Sequence, residues 1–193
     1  MARPRDFDEK EVLAKAVNLF WRKGYNGTSM DDLVETLGIS RSSLYRTFVD
    51  KDILFKRALA NYQQFSSAEI RSVINPSDTA RKSVQKIMEF VADKVLSDRQ
   101  KKGCFMVNSE VELGPHDKQI QKMVLANDRE TEDLIYAVLK KGRDNGEFKN
   151  LADPRASSRF LLNNLKGIRV SAKSINDKAV FADIIKLSIS TLH

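Results

Sequence analysis

The stretch from Gly38 to Asp52, GISRSSLYRTFVDKD, gathers Arg41, Arg46 and Lys51 with the hydroxyls of Ser40, Ser42, Ser43 and Thr47 around Leu44, Tyr45 and Phe48. These residue types suit an anionic partner rich in hydrogen-bond acceptors. A guanidinium such as that of Arg41 can pair both acceptors on the edge of a guanine, whereas serine hydroxyls meet a base or a phosphate with little discrimination. Tyr45 can pack by its ring and give its hydroxyl to a phosphate. Leu44 and Phe48 stand four residues apart, so in a helix they share the side that anchors it to a core. Ser40, Arg41 and Ser42 then occupy the exposed helix start with Arg46 one turn beyond Ser42, where donors can reach the base edges and phosphates of a nucleic acid.

The elements needed to hold such a helix are legible on either side of it. In Phe7-Asp8-Glu9-Lys10-Glu11-Val12, Asp8 is placed as an N-cap, Glu11 completes a capping box and Phe7 packs on Val12 as a hydrophobic staple. Val12, Leu13, Ala16, Val17, Leu19 and Phe20 fill an apolar face that ends at Gly24, a C-terminal stop. Thr28 or Ser29 caps a second helix, with Asp31 and Asp32 in the first turn, where the helix dipole favours negative charge, and Leu33, Val34 and Leu37 on its buried side. Gly38 supplies the left-handed residue that ends it, and Ser40 caps a third helix whose Leu44 closes a staple onto Ile39. Two short helices across a glycine-containing turn make a helix-turn-helix. Asp50 caps a fourth helix, stapled from Val49 to Leu54 and running to about Val73, and Lys51 in its first turn is set to bind a phosphate together with the free N–H groups there.

Beyond this region the periodicity stays helical and strand alternation is absent. Asn75-Pro76-Ser77-Asp78 is the clearest break, with Ser77 placed to cap the next helix. Helices are expected at roughly 77–97, 102–113, 117–144, 153–175 and 177–192. The fold class is therefore all-α, about nine helices, divided into a DNA-binding domain at residues 1–50 and a helical domain at 51–193, with 51–73 as the connecting helix.

Composition sets the outer limits. At 193 residues with 41% apolar side chains the chain can bury a core without staples. Its formal charge of +7 favours anionic partners, yet residues 1–60 carry eleven basic against nine acidic side chains, so a basic surface there must come from placement. A single cysteine, Cys104, excludes an intramolecular disulfide framework and a multi-cysteine zinc site. The charged start MARPRDFDEK lacks the apolar segment of a signal peptide, and no run is long enough to cross a bilayer, so the chain reads as cytoplasmic with no membrane partner. Two histidines, one cysteine and no glycine-rich phosphate loop leave no catalytic constellation, so an enzyme is the rival reading rather than the favoured one, and neither cofactor nor metal is called for. His116, between Pro115 and Asp117, reads as a surface residue beside a cap. Glu110 and Glu112 are too close in sequence to share a helix face.

The run Gly24-Tyr25-Asn26-Gly27-Thr28-Ser29-Met30-Asp31-Asp32-Leu33, followed by Gly38 through Leu54, resembles the N-terminal DNA-binding domain of the tetracycline-repressor (TetR) family. The resemblance covers about residues 7 to 55. Thr47 stands where the family often has histidine or tyrosine, and Leu33-Val34 where it commonly has isoleucine-alanine. The resemblance implies a homodimeric transcriptional regulator, usually a repressor released from a palindromic double-stranded DNA operator by a small-molecule effector held in the C-terminal domain. The DNA contacts it implies fall on Thr28, Ser29, Ser40, Arg41, Ser42, Tyr45 and Lys51, with Arg46 added. Arg3 and Arg5 resemble a basic arm that some members extend into the minor groove, the alternative being a disordered tail.

For the larger part, Gly103-Cys104-Phe105-Met106-Val107-Asn108-Ser109 resembles a Gly-Cys-Leu-type segment from a branch of that family, and Lys173 lies in a similar late Ala-Lys segment. Cys104, Phe105, Asn108 and Lys173 are accordingly expected to border the ligand cavity. A thiol there could respond to oxidants or electrophiles, an alternative set against a plain core cysteine. Phe160, Leu161, Leu165 and Ile168, then Phe181, Ile184 and Ile185, offer more apolar surface than two edge helices need. Gly167 among them costs about 1 kcal/mol against alanine, which points to close helix approach. With the resemblance, these residues become a four-helix dimer interface.

Overall fold

The computed structural model of the protein describes residues 7–192. Among them nine α-helices occur and no strand: α1 (Glu9–Lys23), α2 (Met30–Leu37), α3 (Arg41–Phe48), α4 (Lys51–Ser72), α5 (Ala80–Ser97), α6 (Phe105–Leu113), α7 (Lys118–Asp144), α8 (Pro154–Ser171) and α9 (Lys178–Ser190). The all-α expectation holds, and the caps explain most of the boundaries. Asp8, Ser29, Ser40, Asp50, Asp117 and Asp153 each accept from N–H groups in the first turn of the helix they precede, which satisfies donors that helical geometry leaves unpaired.

Three local expectations are corrected. Asp8 caps through Lys10 N, while Glu11 pairs with Lys15 one turn on at 2.8 Å, the stronger option for two charged side chains on an exposed face. The cap of α5 is Thr79, because Asn75 Oδ1 takes the Ser77 N–H and hydroxyl into a turn of its own. Val49 is 62% exposed while Leu54 is fully buried, so the staple expected between them is not made.

Two hydrophobic cores organise the helices. One joins α1–α4 to Cys104, Phe105, Met106 and Val107 at the start of α6 and to Ile120 and Val124 of α7. The other lies among α5, α7, α8 and α9. The first core therefore continues past the boundary drawn at residue 50. Its spine is a run of edge-on aromatic pairs, Phe20–Phe55 at 5.0 Å between centroids, Phe55–Phe105 at 5.4 Å, Tyr62–Phe105 at 5.7 Å and Trp21–Tyr62 at 4.9 Å. Such pairs contribute about 0.5–1.5 kcal/mol each beyond their area. They fix the N-terminal helices to the body through α4 and α6. No helix among the described residues is long and apolar enough to cross a membrane.

Candidate functional site

The turn between α2 and α3 is set by Gly38 at φ 68°, ψ 27°, a left-handed conformation that costs an L side chain and not glycine. On one side of it, Ser29 and Asp32 exchange hydrogen bonds in a capping box, Asp32 N to Ser29 Oγ at 3.0 Å and Ser29 N to Asp32 Oδ2 at 2.9 Å. Lys23 also donates to Asp32 at 2.5 Å, and that bond above all holds the Asp32 carboxyl at about 2, below its ordinary 3.8. On the other side Ser40 Oγ accepts from Ser43 N at 3.1 Å. Leu33, Leu37, Leu44 and Phe48 are buried beneath the pair, leaving the far side of α3 exposed.

That far side carries Arg41, Ser42, Tyr45 and Arg46, all exposed, with Tyr45 at 45%. Arg41 Nη2 rests 3.0 Å from Asp31 Oδ1, both side chains open to solvent. Ser42 Oγ lies 3.0 Å from Ser40 Oγ, so Ser40 acts at the surface mainly as the cap that starts α3, and Ser42 is the outer hydroxyl. Among the described residues Arg46 has one long contact, to Ser43 Oγ at 3.5 Å. The helix ends in an unusual way: Val49 adopts φ 66°, ψ −58°, and Asp50 N donates back to Phe48 O at 2.7 Å, a strained γ-turn that swings the chain into α4.

Two of the expected contact residues turn inward. Thr28 is 1% exposed and its hydroxyl donates to Gly24 O at 2.6 Å, closing the turn after α1. Lys51 Nζ donates to Thr28 O at 2.7 Å and stands 4.2 Å from the Tyr25 ring centroid. Burial pushes its pKa down, partly offset by the Glu112 carboxylate. A carbonyl and an aromatic face supply the desolvated ammonium with electrostatic partners, so Lys51 ties the start of α4 to the turn before α2. Arg3 and Arg5 lie outside the described residues.

Glu112 forms a link that its sequence did not suggest. From the end of α6 its carboxylate accepts Tyr25 N at 3.0 Å and Asn26 N at 2.8 Å. Gly24, at φ 76°, permits the approach, since a Cβ there would stand 2.8 Å from Glu112 Oε2. Glu110 turns away to Lys166 on α8.

A cavity of about 260 Å³ opens where α1, α4, α5 and the start of α6 meet. Cys104 lines it, buried, and its sulfur accepts a hydrogen bond from Tyr62 Oη at 3.5 Å. Burial foremost, then the neighbouring thiol, raises the Tyr62 pKa well above 10, so the phenol stays neutral and donates. The other three residues expected here lie elsewhere. Phe105 is a core residue in the aromatic spine, and Asn108 and Lys173 bond each other at 3.2 Å in a separate groove beside Glu112 and Val111. Phe105 follows Cys104 in the chain, but the helix start turns it inward. Trp21, Tyr62 and Arg169, not anticipated from sequence, line the cavity instead. Their elements are far apart in the chain, and local patterning carries no signal for that meeting.

The expected dimer residues also divide. Leu161, Leu165, Ile168 and Phe181 are at most 1% exposed, and Ile185 is 8% exposed, all within the protomer's own core. Ile184 is partly buried against that core. Phe160 at 46% exposure faces outward, and nothing stands within 4 Å of a Cβ placed on Gly167. With Val170 at 50% these residues make one helical stripe on α8, and Leu187 of α9 is 67% exposed.

Comparison with known proteins gives a consistent picture. The family model described as "Bacterial regulatory proteins, tetR family" matches residues 12–58, and that described as "Tetracyclin repressor-like, C-terminal domain" matches residues 65–187. The chain is 29% identical over 193 residues, 100% of both proteins, to the uncharacterized HTH-type transcriptional regulator YezE of Bacillus subtilis (strain 168). It is 28% identical over 172 residues to the HTH-type transcriptional repressor ComR of Escherichia coli (strain K12), which covers 89% of this chain and 82% of that protein. A cysteine mutant of the TetR family transcriptional regulator CifR, complexed with 26-bp double-strand operator DNA, superposes with a TM-score of 0.88 at 26% identity, covering 100% of each chain.

Proposed function

The chain belongs to the TetR family of helix-turn-helix transcriptional regulators, and from that premise we propose that it is a cytoplasmic homodimeric repressor that reads a two-fold operator and is released by a small molecule. The observation that carries the DNA reading is the outward face of α3, where Arg41, Ser42, Tyr45 and Arg46 stand over a buried Leu44–Phe48 anchor. Arg41 supplies base discrimination, Ser29, Ser42, Tyr45 and Arg46 meet phosphates or base edges, and Lys51 with Thr28 acts by fixing the turn that sets α2. Repression is supported by the relative named a repressor and the structural neighbour held on operator DNA.

One helix-turn-helix makes too few contacts to specify an address, so two copies must act over half-sites about one DNA turn, or a multiple of it, apart. The exposed stripe of Phe160, Gly167 and Val170 on α8, with Leu187 on α9, supports pairing through these two helices. Release follows from the position of the cavity. A ligand in it touches Trp21 of α1, Tyr62 of α4 and Cys104 at the head of α6, whose far end holds the turn before α2 through Glu112. A ligand that binds the DNA-free arrangement ten-fold better weakens operator binding by the same factor, about 1.4 kcal/mol. Selection of bound sequences from a random DNA pool tests the proposal. An enriched inverted repeat is expected, and a pool that stays random would overturn it.

A further inference from the structure

The cavity beside Cys104 is lined by a cation that no described carboxylate pairs. Arg169, on α8, is only 7% exposed and lines the cavity, yet no hydrogen bond or ion pair joins its side chain to any described residue. The other well-covered cations are matched: Lys166 by Glu110 and Asp128, Lys56 by Asp52 and Asp117. Trp21 also lines the cavity, and its Nε1 is buried with no partner among the described residues. A guanidinium that lines a cavity and carries no counter-charge marks where an anion is favoured.

The remaining groups that face the cavity fix the sign and shape of that acceptor. Lys94 is paired with Glu69, and Lys102 Nζ lies 4.5 Å from the Trp21 ring centroid. Asp98 is the one carboxylate on the lining, and it is already engaged by Gln100 N at 3.1 Å and Lys102 N at 2.9 Å. With Lys94 matched by Glu69, Lys102 and Arg169 still outnumber Asp98, and this net positive lining disfavours a cationic ligand. A wholly apolar ligand would cover Arg169 without giving it a partner. Tyr62 adds a neutral phenol to the lining, and its present partner, the Cys104 sulfur, is a weak acceptor that a carboxylate would outcompete. The lining also includes Ile70, Phe90, Val91 and Val95, suited to a flat apolar body. The volume of about 260 Å³ falls below the roughly 300–1,000 Å³ of sites for drug-sized ligands, which leaves room for about one ring.

Building on the reading of this cavity as the effector site, we infer that the effector is a small aromatic carboxylate whose anionic end pairs with Arg169 and whose ring lies against the apolar residues of the lining. The pairing is bidentate, since a guanidinium presents two parallel N–H groups to a carboxylate. No bond is made or broken.

Trp21 is the only tryptophan in the chain, so its fluorescence reports binding in the full-length protein. Benzoate and phenylacetate are titrated against benzamide, phenylacetamide and benzylamine, with calorimetry alongside. The acids are expected to quench Trp21 saturably and to bind about ten-fold or more tightly than their amides, with benzylamine weakest. Arg169→Gln should bring acid and amide within about two-fold of each other, while Arg169→Lys keeps part of the preference. Circular dichroism checks that both variants fold, and the comparison in the natural chain needs neither. Amides that bind as tightly as the acids, or no binding by any acid, would overturn the inference. Operator affinity measured in the same samples separates it from the reading beneath it. Acids that bind without changing operator affinity leave the ligand class supported and overturn the effector reading. A neutral or cationic compound that fills the cavity and releases the operator does the reverse.

Discussion

Without DNA, Arg41 lies against Asp31 in a contact open to solvent on both sides. Exposed pairs of this kind are worth about 0–1 kcal/mol, so a guanine edge or a phosphate displaces Asp31 easily. The aspartate then serves to park the guanidinium near its working position. Arg41→Ala should cost about 1–3 kcal/mol on the operator and far less on scrambled DNA, read by fluorescence anisotropy on both. An equal loss on the two DNAs would assign Arg41 to phosphate instead. The residue types on α3 were legible because recognition chemistry is local and Leu44 and Phe48 mark the buried side. Thr28 and Lys51 were not, because their direction depends on a contact across 23 positions, with the Thr28 carbonyl taking the Lys51 ammonium. Lys51→Ala is therefore expected to lower the melting temperature as well as DNA affinity. Weaker DNA binding at unchanged stability would show that the ammonium serves the phosphates alone.

The helix starts were readable because a cap is a short-range hydrogen bond, as Ser29, Ser40 and Asp50 illustrate. The end of α3 was not. Val49 reads as an ordinary apolar residue before a cap, yet the need to turn from α3 into α4 forces it to φ 66°. Positive φ at a β-branched residue costs about 1–3 kcal/mol, part of which glycine recovers after its own entropic penalty. Val49→Gly should raise stability by about 1 kcal/mol in a denaturant titration, and a loss would mean that the turn carries no strain. The start of α2 is expected to be pH-sensitive. The folded-state Asp32 carboxyl sits at about 2, below its ordinary 3.8, so its contribution is complete above the ordinary value and is lost as pH falls through about 2. The melting temperature should drop across that window, and less steeply in Asp32→Asn. Parallel slopes would remove the Lys23–Asp32 bond from the account of stability.

At the scale of the whole molecule, the class, the number of helices and the N-terminal motif followed from periodicity and caps, while the sorting of long helices into inner and outer faces did not. Both Leu161 and Phe160 are apolar neighbours on α8, but only the packing of α8 on α7 and α5 decides that Leu161 is sealed and Phe160 open. The cavity was equally hidden, since Trp21, Cys104 and Arg169 meet only in the folded chain. Phe160→Glu is expected to shift the protein to monomer in sedimentation velocity and to abolish operator binding while leaving the melting curve of the protomer intact. A dimer that persists would move the interface off α8. The central claim is that α3 reads sequence and does not merely attract phosphate, and one measurement addresses it most directly: the affinity of the natural protein for its selected inverted repeat and for a scrambled duplex, by anisotropy over a salt series. Both should weaken with salt, since each neutralised phosphate adds about −0.9 to the slope of log affinity against log salt, with the repeat bound about 10³-fold or more tightly throughout. Equal affinities that fall together with salt would contradict it.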